Sequence, residues 1–203
     1  MNLKFENNLW RSGYDHVVGL DEAGRGSWAG PLVAAAVVLP HGAKIAGVDD
    51  SKKLTPQKRE RVFLDIVKIA LSWGLGIVSQ KTIDEVGILQ ANKMAFIQAL
   101  EKINPAPQYI LVDGIKNFEP STPHEFIISG DSKIMSIAAA SIVAKVVRDQ
   151  ILNQLHHLYP HYNLQQHKGY GTAEHRQALQ EHGLSEIHRL SFRPMEEIIM
   201  QEF

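Results

Sequence analysis

His16-Val17-Val18-Gly19-Leu20-Asp21-Glu22-Ala23-Gly24-Arg25-Gly26 is the stretch from which the rest of the chain can be ordered. It begins as a short, valine-rich run that ends in carboxylates, and a second apolar run follows at Val33–Leu39. The glycine-bearing stretch Gly24–Gly30 lies between them, so the pair predicts two neighbouring strands around a loop. Further on, Thr55-Pro56 predicts a helix start, because threonine caps free amides and proline fits the first helical position. Val62, Phe63, Ile66, Val67 and Ala70 then recur at helical spacing, and Trp73, Leu75 and Ile77 alternate as in a strand. Thr82 and Glu85 read as a capping box for a helix running to about Ile103. Pro105 and Pro107 precede Tyr109-Ile110-Leu111-Val112-Asp113, an apolar strand closed by a carboxylate. Phe126-Ile127-Ile128 leads through Gly130 into a long helix opening near Asp131, whose Ala138–Ser141 run is slim enough to lie close on a sheet. Thr172 reads as the cap of a helix ending at Gly183. The expected architecture is a single α/β domain, with a core over about residues 12–155 and a helical C-terminal region over about 156–203.

Composition narrows the classes. The chain has 203 residues, 44% hydrophobic and 21% charged, with a formal net charge of −1. A near-neutral chain holds nucleic acid only through local patches. The apolar fraction argues against disorder. The longest weakly polar runs, Pro31–Pro40 and Ile134–Ala144, are shorter than the ~20 residues that span a bilayer. Cys 0 excludes a disulfide framework, a thiol nucleophile and cysteine-held zinc. The opening Met1–Asn8 lacks an apolar core, so no secretory signal is expected there and the expected compartment is the cytoplasm.

The chemistry-bearing pattern is one of carboxylates at element ends: Asp21 and Glu22 after one strand, Asp113 after another, and Asp131 at a helix opening. Strand ends are where side chains leave a packed sheet and can converge. Gathered acids repel unless a cation neutralises them, and oxygen-only ligands suit Mg²⁺ or Mn²⁺. Taken singly, Asp131 also reads as a cap, Asp113 as a turn residue, and Asp21 or Glu22 as a surface charge. Successive strand residues point to opposite faces, so Asp21 and Glu22 share a site only if the strand bends at Ala23-Gly24, or if Glu22 reaches round or contributes its carbonyl. Gly24-Arg25-Gly26 permits a sharp turn and close approach to a ligand. It is not a dinucleotide fingerprint, because Gly30 falls one position late and a strand follows instead of a helix. Lys52, Lys53, Lys145 and Arg148 are candidate phosphate contacts, although Lys145 also has the i,i+4 spacing to pair with Asp149. Tyr170, between Gly169 and Gly171, reads either as a ring exposed for stacking on a sugar or base or as a buried tyrosine in a turn. His157 and His161 read as surface histidines. The tail Met195–Phe203 reads as a terminal helix in preference to a docking peptide.

Taken together, Asp21-Glu22-Ala23-Gly24-Arg25-Gly26 with Ala29-Gly30-Pro31, Asp50–Leu54, Val112-Asp113-Gly114, Ala140–Asp149, Lys168-Gly169-Tyr170-Gly171-Thr172 and His188-Arg189-x-Ser191-Phe192 resemble bacterial type 2 ribonuclease H (ribonuclease HII). The resemblance runs from about Asp15 to Pro194. It implies a ribonuclease H-like mixed sheet flanked by helices. It also implies an endonuclease that cuts the RNA strand of RNA–DNA hybrids and nicks 5′ to a single ribonucleotide embedded in duplex DNA. By this resemblance Asp21, Glu22, Asp113 and Asp131 are the catalytic, metal-holding acids for Mg²⁺ or Mn²⁺, Gly24, Arg25 and Gly26 read the substrate, and Tyr170 senses the junction. A monomer serving DNA replication and ribonucleotide excision repair is expected, with no membrane partner. Ser27-Trp28 departs from the Pro-Leu common in that family, which touches the packing of the loop and not the acids. A metal-dependent phosphatase accounts for the acids but not for the glycine loop with Tyr170; a nucleic-acid-binding module makes the acids structural.

Overall fold

A computed structural model describes residues 3–48, 54–114, 116 and 118–201. Five strands form one sheet in the order β3-β2-β1-β4-β5. They are β1 (Val17–Ala23), β2 (Leu32–Val38), β3 (Ser72–Val78), β4 (Tyr109–Asp113) and β5 (His124–Ile127). β1, β2 and β3 pair antiparallel as a meander, whereas β4 and β5 add in parallel to β1, so the sheet is mixed. β2 is buried at every position. That is why Leu32–Val38 reads as an unbroken apolar run: both faces of a central strand are covered.

The two faces carry separate cores. Val18 and Leu20 of β1 pack with Ala91, Ala95 and Phe96 of α4 (Ile88–Leu100), while Val17 and Ala23 pack with the opposite layer. That layer contains α1 (Lys4–Arg11), α2 (Pro56–Ile69) and the long α5 (Met135–Leu158). α5 lies almost in contact with the β1 backbone. A Cβ at Gly19 would fall 2.1 Å from the carbonyl carbon of Ser136, so only glycine allows this approach. The slim Ala138-Ala139-Ala140 run, buried throughout, sits on the same face.

Local signals locate several helix ends. Thr55 Oγ1 accepts the Lys58 N–H at the start of α2. Thr172 Oγ1 accepts the His175 N–H at the start of α7 (Ala173–His182), which ends at Gly183. Two expectations need correction. The single helix from Thr82 to Ile103 is two, α3 (Gln80–Val86) and α4, because Gly87 at φ +77° turns the chain between them. The cap is Ser79, whose Oγ accepts the Thr82 N–H at 3.1 Å. Asp131 lies in a 3-10 turn, Gly130–Ser132, and α5 begins only at Met135. Helix α1 was not anticipated from the opening residues.

The C-terminal part contains α6 (Leu164–His167), α7 and α8 (Arg193–Gln201). It builds a third core around Tyr162, Leu164, Leu179, Ile187 and Met195, with Ala29 of the loop after β1 inserted into it. The tail is helical through Gln201, as expected. Among the described residues no helix is long and apolar enough to cross a membrane.

Candidate active site

β1 and β4 run parallel with Leu20 opposite Val112, so the next residues, Asp21 and Asp113, emerge side by side at the strand ends. They line a cavity of about 210 Å³ together with Glu22, Gly24, Arg25 and Gly26. Ser141 and Lys145 of α5 and the ring of Tyr170 complete its wall. Asp21 and Glu22 do take opposite sides of β1: Asp21 interacts with Ser141 of α5, and Glu22 with Asn92 of α4. Both reach the cavity because it opens where the strand ends. Asp113 is fixed from behind, its Oδ1 accepting the Gly130 N–H at 2.6 Å. Asp131 is buried on that same turn, and its N–H lies 3.4 Å from Asp113 Oδ1. It therefore adjoins Asp113 through the backbone and is not part of the cavity wall.

The acids strain against one another. Burial, then Glu22 and Asp113, push the Asp21 carboxyl well above the usual range. Burial raises Glu22 to about 7, with Arg25 opposing and Asp113 adding to the rise. The Arg25 guanidinium stands 3.9 Å from Glu22 and opposes the rise more than Asp113 adds to it, so burial is what keeps the Glu22 carboxyl high. Such a set of hard oxygen donors with excess negative charge fits a divalent cation. Among the described residues no three acidic or histidine side chains converge on one point. That is compatible with Mg²⁺ or Mn²⁺, which are commonly held by one or two carboxylates plus water and substrate oxygens.

Asn92 escaped the sequence reading. It is buried, it interacts with Glu22 so as to favour the ionised acid, and among the described residues neither Oδ1 nor Nδ2 makes a well-formed hydrogen bond. A buried polar group left so open beside a reaction cavity is a candidate functional group.

The basic residues divide. Lys145 lines the cavity but is tied to Asp149 at 2.7 Å. Arg148, expected at a phosphate, is fully buried instead. Its Nε donates to the Pro31 carbonyl, Nη1 to Lys168, and Nη2 to Ala29 and to Ser27 Oγ. A Cβ at Gly24, where φ is +93°, would fall 2.0 Å from Arg148 Nε, so the glycine lets the loop lie on the guanidinium. Arg189, buried on the other side, donates from Nε and Nη2 to the Gly30 carbonyl and from Nη1 to that of Arg25. Two buried arginines thus clamp the glycine loop through its carbonyls. Burial, with Arg148 second, lowers Arg189 to about 9. Lys52 and Lys53 lie outside the described residues.

The Tyr170 ring is 38% exposed, with the Arg148 guanidinium 5.6 Å and Lys145 Nζ 5.9 Å from its centroid. The departing residues Ser27 and Trp28 are integrated into this loop pair. Ser27 Oγ donates to the Ala29 carbonyl, and the indole of Trp28 occupies the space beside Gly171, 2.1 Å from where a Cβ would sit. A larger depression of about 500 Å³ lies between α2, α5 and α6, and Arg59 there is paired with Asp149.

Comparison with known proteins agrees with this geometry. The family model for Ribonuclease HII matches residues 18–195. A Ribonuclease HII of Bacillus cereus (strain Q1) is 47% identical over 198 residues, 98% of this chain and 77% of that protein. The crystal structure of the ribonuclease H2 from Pyrococcus horikoshii superposes with a TM-score of 0.77 at 29% identity, covering 91% of this chain and 97% of that one. Bst-RNase HIII, solved in complex with Mn²⁺, shares the fold with a TM-score of 0.73 at 21% identity, over 93% of this chain and 70% of that one. On the match of nearly its whole length, the chain belongs to the ribonuclease HII family of metal-dependent hydrolases that cut the RNA strand of RNA–DNA hybrids.

Proposed function

We propose that this enzyme also nicks duplex DNA on the 5′ side of a single embedded ribonucleotide, using two divalent ions and leaving 3′-hydroxyl and 5′-phosphate ends. The observation that carries this reading is the shared cavity: three carboxylates, the glycine loop and the Tyr170 ring face one space of about 210 Å³. Asp21, Glu22 and Asp113, with Asp131 from the turn adjoining Asp113, would hold Mg²⁺ or Mn²⁺, whose charge would polarise the scissile phosphate and lower the pKa of an attacking water.

The chain's own residues do the rest. Positive charge arriving in the cavity favours the ionised acids, so Asp21 and Glu22 release protons as the site fills. The loop Gly24-Arg25-Gly26 offers backbone groups to the ribose 2′-hydroxyl, the one feature that separates RNA from DNA at a given position. A Cβ at Gly26 would meet nothing within 4 Å, so the space above it is free for a sugar. Arg148 and Arg189 hold that loop from below. Tyr170 presses on the next sugar, where a deoxyribose leaves room and a ribose does not. Lys145, and Lys52 and Lys53 beyond the described residues, are the proposed phosphate contacts, so affinity falls as salt rises. The setting that fits these substrates is the cytoplasm, in DNA replication and ribonucleotide excision repair, with the chain acting as a monomer.

The test is a labelled duplex carrying one ribonucleotide, incubated with the protein in Mn²⁺ or in EDTA. Metal-dependent nicking beside the ribonucleotide, with a ligatable 5′-phosphate, supports the reading. Cleavage confined to continuous RNA–DNA hybrids overturns it.

A further inference from the structure

Behind Tyr170 lies a group of three buried histidines that the cleavage chemistry does not use: His167, His175 and His188. His167 and His175 stack, ring centroids 4.3 Å apart at 16°. His175 Nδ1 stands 3.1 Å from the Tyr170 carbonyl oxygen, and its Nε2 stands 3.2 Å from Nε2 of His188. Their protons can be assigned from these partners. A carbonyl only accepts, so His175 carries its proton on Nδ1 and leaves Nε2 bare. The contact between the two rings needs one proton, which His188 therefore supplies from its own Nε2. His188 Nδ1 is then bare: it accepts the Ser185 N–H and hydroxyl, each at 3.1 Å, and its longer 3.3 Å approach to the Ser185 carbonyl is a contact without a hydrogen bond. On the stacked ring, His167 Nδ1 accepts the Gly169 N–H at 3.2 Å, while Nε2 donates to the Tyr162 carbonyl at 2.6 Å.

The chain of donors runs one way, from Ser185 through two imidazoles to the backbone of Tyr170. His167 meets the amide on the other side of the same short loop. Among the described residues no set of three acidic or histidine side chains could enclose a metal ion, so the cluster is a hydrogen-bond chain and not a metal site. It also joins the segment around Ser185 and His188, which reaches the glycine loop through Arg189, to the loop that bears Tyr170.

We infer that His175 and His188 are positioning residues that fix the Tyr170 backbone, and through it the enzyme's preference for a ribonucleotide followed by a deoxyribonucleotide. The inference rests on the reading of Tyr170 as the residue that meets the sugar beyond the cut. A ring that discriminates one oxygen atom must be held to within a fraction of an ångström. Its side chain is partly exposed, so that precision comes from the backbone beneath it.

The experiment compares two rates: nicking at a single embedded ribonucleotide, and hydrolysis of a continuous RNA–DNA hybrid. Tyr170→Ala lowers the ratio of the first to the second. His175→Leu lowers the same ratio roughly tenfold, the scale of losing one ordered hydrogen bond, with kcat falling more than KM. His175→Asn, which keeps a donor near the Nδ1 position, restores most of it. Adding His175→Leu to Tyr170→Ala changes the ratio no further. If the ratio falls in Tyr170→Ala but is unchanged in His175→Leu, the relay is overturned and the Tyr170 reading stands. If Tyr170→Ala itself leaves the ratio unchanged, the Tyr170 reading falls and takes the relay with it. Should His175→Leu not fold, imidazole ¹⁵N spectra of the unmodified protein near neutral pH decide the matter. They show the Nδ1–H tautomer at His175 and the Nε2–H tautomer at His188; the reverse pattern overturns the inference.

Discussion

Glu6 Oε1 accepts the backbone N–H of Ser136 at 2.8 Å, across 130 positions of chain. A carboxylate from α1 thus closes the N-terminus of α5, the helix that carries Ser141 and Lys145 to the cavity and Arg148 beneath the glycine loop. Negative charge at that end also meets the positive pole of the helix dipole. Glu6 is buried, and among the described residues its Oε2 has no hydrogen-bond partner, so the contact rests on one oxygen. Glu6→Ala leaves free amides in the interior and costs about 1–3 kcal/mol. Thermal unfolding of the variant would show a melting temperature lower by several degrees; an unchanged melting point contradicts the capping role.

Asp113→Asn keeps the Oδ1 acceptor for Gly130 but removes the charge that raises Asp21 and Glu22. Turnover falls by orders of magnitude while the fold persists. Without metal the variant melts higher than the parent at pH 8, because the repulsion has been relieved. The gain in melting temperature on adding Mn²⁺ shrinks at the same time. A variant as active as the parent contradicts the assignment of Asp113.

The loop clamp makes a sharper claim about Arg189. Arg189→Lys retains positive charge but presents one compact ammonium where a planar fork now meets the carbonyls of Gly30 and Arg25. Activity on both substrates drops at least about tenfold, the scale of one displaced hydrogen bond. Circular dichroism reports an intact fold. Full activity in Arg189→Lys would show that charge alone is required.

Stability responds to pH in opposite directions at two places. Burial lowers His175 and His188 to about 4 from 6.5. The unfolded chain therefore binds more protons between these values, so their contribution is whole above pH 6.5 and is lost as pH falls toward 4. Each accounts for about 3 kcal/mol at most, and less when counted together because the rings touch. Glu22 behaves inversely. Its pKa rises from 4.5 to about 7, so stability present below pH 4.5 is lost as pH rises through 7. Melting curves from pH 4 to 8 in EDTA test both: Glu22→Gln raises the melting temperature more at pH 8 than at pH 5, and equal shifts contradict the sign.

Asn92→Ala removes an uncharged side chain that supports the ionised form of Glu22. Calorimetric titration with Mn²⁺ in the absence of substrate gives weaker binding, by several-fold, than in the parent. Unaltered binding would make Asn92 a packing residue.

Strands and acids were legible in the sequence because the physics that builds them is local. β2 is apolar at every position since both its faces are covered, and Asp21 and Asp113 announce themselves as charges closing apolar runs. The parallel pairing of β1 with β4 was not legible, because it joins segments far apart in the chain. Nor was the split at Gly87, which interrupts neither the apolar spacing nor the charge pattern on either side. Arg148, Arg189 and the histidines hid for a common reason. Charged and imidazole side chains read as solvent-facing unless the chain returns to bury them, and that burial arises where the C-terminal helices fold back on the glycine loop.

Trp28 and Gly171 face each other so closely that the indole stands where any side chain at 171 would begin. Each residue thereby dictates what the other can be. A bulkier residue at 171 is tolerated only after position 28 has become small, and the reverse order passes through a clashing intermediate. Anyone grafting the common Pro-Leu loop onto this chain, or moving this loop into a relative, has to treat the two positions as one inherited unit.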